Sequence, residues 1–266
     1  MVKNILSIIA ILACGLTLTN CSEFYKIQKS GDYNLMYEKA LAYYEYEDYY
    51  HAKSLLDEVV NVLRGSDKAE NALYTYAECH RQLHDYTMAA YHYSAFYNTY
   101  PFAEKTEEAY YMAAYCYYKE SPRVDLDQTP TQKAIDAMQG YINKYPKGVH
   151  LDEANDIISE MRVKLEEKSY SISKLYYKLG EYQAATITLK NSLKEFPDTK
   201  YREELMYMVV KSNYYLADNS VEDKKADRFQ NMVSEYYVFI DEFPQSQYLS
   251  ELEGMYNNAV SQIKKL

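Results

Sequence analysis

The sequence contains no tryptophan and few of the residues that make tight turns. Its 266 residues include 7 Gly and 6 Pro, too few for a strand-rich fold with many turns or for a glycine-rich loop that cradles phosphate. The formal net charge is −10 and the 29 basic residues form no dense run, so nucleic acid is not an expected partner. Because 48% of the residues are hydrophobic and 26% are charged, the composition predicts a folded chain, and the scarcity of turn formers favours helices.

Tyrosine is the residue in excess. The chain has 34 Tyr and 7 Phe, and a tyrosine ring is apolar along its body and polar at its tip. We therefore expect part of the tyrosine set to serve the function.

The N-terminus has the pattern of an export signal. Lys3 precedes an apolar stretch over residues 5–18, which suits a signal-peptide core and is too short to span a membrane as a helix. It ends in Leu18-Thr19-Asn20-Cys21, which resembles the lipobox of bacterial lipoproteins. The resemblance implies a signal peptide over 1–20, an acylated Cys21 and a lipidated linker over 21–32; a secreted protein cut nearby and an uncleaved anchor are the alternatives. Several acyl chains, at about 0.8 kcal/mol per buried methylene, would hold the protein on a membrane.

Four prolines, each preceded by an aromatic residue, reveal an internal repeat. Twelve residues upstream of each proline stands Ala89, Ala134, Ala185 or Met232. The aromatic-proline pairs are Tyr100-Pro101, Tyr145-Pro146, Phe196-Pro197 and Phe243-Pro244.

This pattern resembles the tetratricopeptide repeat, a helical hairpin of 34 residues with small residues where its helices touch. The implied fold is an all-α, tetratricopeptide-like, right-handed helical solenoid, because each hairpin has an apolar face that it cannot bury alone. Apolar spacing over Leu151–Glu167 predicts an additional helix that joins repeats three and four. Five repeats are expected over 33–65, 70–101, 107–146, 166–197 and 204–244, with a final helix near 246–264.

No catalytic or metal-binding pattern is present in the sequence. His80 and His84 are four residues apart, a spacing that can chelate a metal, but His80 takes a repeat position that elsewhere holds tyrosine, which favours packing.

The charged run Glu222–Arg228 is predicted to be an exposed loop. Cys79 and Cys116 occupy equivalent positions of neighbouring repeats, too far apart for a disulfide, so we expect two buried free thiols. We predict no enzyme activity, no cofactor and no metal.

Two tyrosine-rich rows run along the first helices of the repeats. If Ala40, Ala77, Ala114 and Ser173 are equivalent, the positions three before and four after them share one helix face. In tetratricopeptide repeats this face lines the concave surface, and an extended peptide could bury the rings there; the alternative is that the rings pack between repeats. Substituting Tyr74 and Tyr111 by Ala is expected to weaken peptide binding and leave the fold intact. The predicted peptide-binding residues are Tyr37, Tyr44, Tyr74, Arg81, Tyr111 and Tyr118, and the rows continue as Tyr170 and Tyr177.

A narrower resemblance comes from Tyr-Tyr-Lys-Leu-Gly-Glu-Tyr-Gln-Ala-Ala at 176–185 and Phe-Pro-Asp-Thr at 196–199. Together with the lipoprotein signal and five repeats, these segments resemble the BamD family of outer-membrane assembly lipoproteins. The family implies a non-enzymatic, lipid-anchored protein of the outer membrane that faces the periplasm. Its expected partners are a BamA-like barrel insertase, other assembly subunits and unfolded outer-membrane proteins.

The same resemblance divides the mature chain by function. Residues 33–146 would be the substrate-binding half and residues 147–266 the BamA-binding half, with Arg202 as a partner-binding residue because Arg202-Glu203-Glu204-Leu205 matches the family in that region. Two alternatives stay open at this point: a generic periplasmic tetratricopeptide scaffold, and a carbohydrate-binding lipoprotein. Sugar-stacking sites usually favour tryptophan, which this chain lacks.

Overall fold

The computed structural model describes residues 23–265, and all the regular secondary structure in that range is helical. The predicted signal peptide over 1–20 and the predicted lipidation of Cys21 lie outside the described residues. None of the described helices combines the length and the apolar character needed to cross a membrane.

A short helical segment over residues 23–28 precedes the longer helices. Eleven helices then follow within the described part of the chain. They are α1 (Tyr33–Glu45), α2 (Tyr49–Val59), α3 (Ala69–Gln82), α4 (Tyr86–Thr99), α5 (Thr106–Lys119), α6 (Thr129–Lys144), α7 (Leu151–Lys178), α8 (Tyr182–Glu195), α9 (Arg202–Asp218), α10 (Glu222–Glu242) and α11 (Leu249–Ile263).

The helices agree with the predicted repeats, and the all-α tetratricopeptide-like class is confirmed. Helices α1 to α6 pack on one another in chain order, as do α8 to α11. The small residues selected by the twelve-residue interval are fully buried where helices touch, since Ala89, Ala134 and Ala185 are all inaccessible to solvent. A larger side chain there would push the two helices of a hairpin apart.

The turn inside each of three hairpins has the same construction. Glu47 and His84 have a φ of 60° and Gly180 has a φ of 77°, the left-handed conformation that reverses the chain after a helix. The next residue is the N-cap of the second helix. In two of the hairpins its side chain accepts a hydrogen bond from an otherwise unpaired helical N–H group: Asp48 accepts from the His51 amide at 3.2 Å and Asp85 from the Met88 amide at 3.4 Å.

Helix α7 differs from its prediction. The sequence indicated a joining helix over Leu151–Glu167 and a separate first helix of repeat four, but the structure has one helix of 28 residues, Leu151–Lys178. No glycine, proline or capping turn interrupts this stretch, so nothing ends the helix between the two parts.

The charged run Glu222–Arg228 is not a loop, and that prediction is wrong. It forms the first turns of α10. Glu222 and Asp223 are favourable near the positive end of the helix dipole, and Lys225 donates a hydrogen bond to Glu222 at 2.9 Å.

The described chain forms two compact units. Unit 1 contains residues 23–122 and 128–159, and unit 2 contains residues 123–127 and 160–265. The buried side chains of unit 1 include Leu55, Tyr93 and Phe96, and those of unit 2 include Leu205 and Phe239.

The two cysteines are buried free thiols, as predicted. Burial raises the pKa of Cys79 and of Cys116 to about 12, so both stay protonated and unreactive at neutral pH. His80 also packs in the interior as predicted: it is buried and its ring stacks on that of His92 with centroids 5.1 Å apart.

Candidate functional site

The first tyrosine row mainly joins neighbouring repeats. The Asn71 side chain, one repeat further along, donates a hydrogen bond to the Tyr37 hydroxyl at 2.9 Å. In unit 2, Tyr170 donates to Glu204 and Tyr207 donates to Glu251, each at 2.7 Å. The hydroxyls of Tyr37 and Tyr170 in this row, and that of Tyr207 on α9, therefore each reach a helix further along the chain.

Tyr37 and Tyr111 do not line an open surface, and the expectation that they do is wrong. Tyr37 is 7% exposed and Tyr111 is 1% exposed. The Tyr111 ring stacks on His150 at 4.0 Å with an interplanar angle of 7° and meets the edge of Tyr141 at 5.5 Å. Since that ring fills the core, we expect Tyr111→Ala to destabilise the fold, contrary to the expectation from the sequence.

Tyr74 is half-buried and differs from its two neighbours in the row. Its ring packs edge-on against Tyr93 and Phe96, with centroids 5.8 and 5.3 Å away. The Lys105 ammonium lies 4.4 Å from the centroid of the Tyr74 ring. Burial is the main cause of a raised pKa at Tyr74, followed by the charges of Glu78 and Glu108.

The second row is more accessible, since Tyr44, Arg81 and Tyr118 are all half-buried. The Arg81 guanidinium is held by Glu78, which accepts from Nε at 3.2 Å and from Nη2 at 2.7 Å. The Tyr93 hydroxyl donates to the same carboxylate. Burial first, and then the charge of Glu78, raise the pKa of Tyr44 to about 12.

This arrangement offers groups that can recognise a ligand. Tyr44, Tyr74 and Tyr118 offer ring faces and hydroxyls, while Arg81 offers a cation whose Nη1 lies outside its ion pair with Glu78. The nearby thiols are protonated, and the described residues hold no group of three side chains suited to a metal ion. Aromatic and guanidinium groups of this kind suit a peptide with apolar side chains and polar amides.

Arg202 lies in unit 2, at the first position of α9. Its Nη2 donates to Glu242 at 3.0 Å, its Nε donates to the other oxygen of that carboxylate, and its Nη1 donates to the Pro197 carbonyl at 3.2 Å. The side chain is half-buried, and a role in binding a partner stays a prediction.

Sequence reasoning missed the buried carboxylate that positions Arg81. Glu78 is 6% exposed, and its helix position is taken by Leu41 in repeat one and by Lys174 in repeat four. The available signal was an acidic residue directly after the buried small residue Ala77, three residues before an arginine.

A second missed feature is a bridge that occurs twice in unit 2. Lys174 donates to both Tyr170 and Glu204, and Lys211 donates to both Tyr207 and Glu251. The signal in the sequence is a tyrosine followed four residues later by lysine, which places both side chains on one helix face.

Comparison with known proteins reveals a family relationship. Residues 29–229 match the YfiO family, described as outer membrane lipoprotein. A protein of Aquifex aeolicus (strain VF5) named "Putative outer membrane protein assembly factor BamD" is 25% identical over 261 residues, which is 97% of this chain and 85% of that protein. The "Outer membrane protein assembly factor BamD" of Caulobacter vibrioides is 26% identical over 117 residues, 44% of this chain and 38% of that protein. Because the family match spans most of the chain, from just before α1 into α10, the chain belongs to the YfiO, or BamD-type, family of outer membrane lipoproteins.

Proposed function

We propose that this protein is a non-enzymatic subunit of the machinery that assembles β-barrels in the outer membrane. The observation that carries the proposal is the family match over residues 29–229, and the names of both relatives point to the same process. The protein would be anchored by acyl chains on Cys21 and face the periplasm.

The proposed substrate is an unfolded barrel protein, held in unit 1 by recognition alone. Barrel strands alternate apolar and polar side chains, and the half-buried rings of Tyr44, Tyr74 and Tyr118 could cover the apolar ones. Arg81, kept in place by Glu78, would bind a polar or anionic group of the same segment. The buried residues Tyr37 and Tyr111 would shape this surface from beneath.

A peptide titration tests the substrate proposal. We expect Tyr44→Ala and Tyr118→Ala each to weaken binding of a barrel-strand peptide by about tenfold, the loss of roughly 1.4 kcal/mol that a contacting aromatic ring supplies. Tyr91→Ala is the matched control, since Tyr91 is an exposed ring of unit 1 on α4. Unchanged affinity in both row variants, with unchanged circular dichroism, would exclude this surface.

The proposed partner of unit 2 is a BamA-like barrel insertase. Arg202 would contact it by exchanging its intramolecular partner Glu242 for an acidic group of the insertase, because a guanidinium recognises carboxylates with two parallel hydrogen bonds.

Crosslinking in membranes followed by purification tests the partner proposal. We expect a BamA-type barrel protein in the purified complex, and a smaller amount of it with Arg202→Glu. Lys190→Glu is the control, because Lys190 is also a paired cation of unit 2, bound to Glu235. Recovery of peptidoglycan enzymes without any barrel protein would favour a general envelope scaffold instead.

A further inference from the structure

The segment over residues 23–28 is part of the folded body of unit 1. Phe24 and Ile27 are each 6% exposed and belong to the core cluster formed by α1, α2 and α3. The Phe24 ring meets the edge of His51 on α2 with centroids 4.4 Å apart. The chain therefore packs against the first hairpin from this segment onward.

Three strongly exposed tyrosines lie on this segment and on the first hairpin. Tyr25 is 54% exposed, Tyr46 is 84% exposed and Tyr50 is 66% exposed; we call them the N-terminal tyrosine surface. Tyr25 stacks edge-on against Phe24 at 5.8 Å, and Tyr50 against His51 at 5.6 Å, so the Phe24–His51 pair connects the two rings.

Tyr46 lies at the same edge of the hairpin. It follows the last residue of α1, in the turn that leads to Asp48 at the start of α2. Asp48 in turn contacts Nδ1 of His51 at 2.7 Å. The turn, the start of α2 and the segment over 23–28 are thus joined by direct contacts.

The predicted lipid attachment is very close to this surface along the chain. Cys21 precedes Glu23 by two residues, and two residues of fully extended chain span no more than about 7 Å. An acylated cysteine at that distance would hold the first hairpin next to the lipid headgroups, with no long tether between them.

We propose that the N-terminal tyrosine surface lies in the headgroup region of the membrane that holds the acyl chains, and orients the first repeat upon it. This proposal rests on the lipid anchor at Cys21 in the proposed function. Tyrosine suits this environment because its ring enters the apolar boundary while its hydroxyl stays hydrated.

The charges near the surface indicate which lipids it fits. Glu45 and Glu47 flank Tyr46 and are exposed, while Lys26 and Lys29 are exposed on the first segment. Because acidic and basic groups are mixed, the contact does not depend on anionic lipids. We expect it on zwitterionic phosphatidylcholine vesicles, with the acyl chains supplying the affinity.

The absence of tryptophan from the whole chain allows a direct test with single-tryptophan variants. The lipidated mature protein carrying Tyr46→Trp or Tyr50→Trp is bound to phosphatidylcholine vesicles whose acyl chains carry bromine, a contact quencher of indole fluorescence. Phe102→Trp is the matched control: Phe102 is 99% exposed but follows α4 at the opposite edge of the hairpins, about 20 Å away along a helix of 14 residues.

We expect vesicle binding to shift the emission of the tryptophans at 46 and 50 to shorter wavelength and to quench it, with no change at 102. If all three variants float with the vesicles but the tryptophans at 46 and 50 stay unquenched, the membrane contact is overturned while the anchor stands. That result would favour a protein partner on this surface. Failure of the lipidated protein to float with vesicles would overturn the anchor and the contact together.

Discussion

At the residue scale, tyrosine serves three different roles in this protein. Tyr170 and Tyr207 use the hydroxyl to bind a carboxylate of the next repeat, while Tyr111 uses the whole ring to fill the core. Tyr44 exposes part of its ring on the predicted binding row. Position in the helix and the groups that each ring meets decide the role, since the residue type is the same.

The contrast between Tyr111 and Tyr44 gives a prediction about stability. Tyr111→Ala should lower the free energy of unfolding by about 3–5 kcal/mol, because it opens a large cavity beside His150 and Tyr141. Tyr44→Ala removes a half-buried ring and should cost clearly less. Urea unfolding followed by circular dichroism measures both variants, and equal losses would contradict the assigned burial of Tyr111.

Glu78 provides a second prediction at this scale. Glu78→Gln leaves the Arg81 guanidinium without its anionic partner in a largely buried site, so we expect a loss of about 3 kcal/mol. The control is Glu38→Gln, because Glu38 is exposed and its carboxylate lies 3.8 Å from Lys68; an exposed pair of this kind contributes less than about 1 kcal/mol. A similar loss in both variants would mean that the Glu78 pair has no special role.

At the scale of elements, the start of the long helix α7 is fixed by a compact hydrogen-bond network. The Tyr141 hydroxyl of α6 donates to Glu107 of α5 at 2.9 Å and accepts from the His150 amide at 3.1 Å. Glu107 also accepts from the Val149 amide at 2.9 Å. The chain can approach this network so closely because residue 148 is glycine.

Gly148→Ala should therefore destabilise the protein by about 1–3 kcal/mol. A β-carbon at this position would lie 2.5 Å from Glu107 Oε1, and closer still to the hydroxyl of the buried Tyr141. Gly254→Ala in α11 should do the opposite: a β-carbon there meets nothing within 4 Å, so the change should stabilise the protein by about 0.5–1 kcal/mol. Thermal unfolding of the two variants should shift in opposite directions, and a rise for both would show that the 148 site has room.

The elements also show which parts of the structure the sequence could predict. The positions of Ala89 and Ala185 were predictable because a close helix crossing favours small side chains, and the interval to the next proline repeats. The continuity of α7 was harder to predict. The repeat pattern implies that one helix ends and another begins within Leu151–Lys178, but no residue in this stretch ends a helix. Burial of Tyr37 and Tyr111 depends on partners such as Asn71 and His150, which lie one repeat away and outside any local pattern.

At the scale of the whole molecule, the two units carry different acid-sensitive groups. In unit 1, burial lowers the pKa of His80, and it lowers the pKa of His92 to about 4. The charged groups that act on this pair are Asp57, Asp85 and Lys53. In unit 2, hydrogen bonds from Lys211 and Tyr207 lower the pKa of Glu251. At Glu204, burial alone would raise the pKa, but the hydrogen bonds from Lys174 and Tyr170 outweigh burial, so the pKa of Glu204 is also lowered.

These shifts predict that acid weakens unit 1 before unit 2. The unfolded chain binds a proton at His92 near pH 6.5, but the folded chain does so only near pH 4, so stability falls as the pH decreases between these values. For Glu204 and Glu251 the folded pKa lies below the ordinary value near 4.5, so their contribution is complete above that pH and is lost below it. Urea unfolding of the wild type at pH 7, 5 and 3.5 should show both losses.

Two variants separate the contributions. His92→Phe keeps an aromatic ring beside Tyr76 but cannot bind a proton, so its stability should change less than that of the wild type between pH 7 and pH 5. Glu251→Gln should follow the wild type in that range and lose less stability between pH 5 and pH 3.5. If His92→Phe were as sensitive as the wild type between pH 7 and pH 5, the buried histidine would not be the group that makes unit 1 sensitive to mild acid.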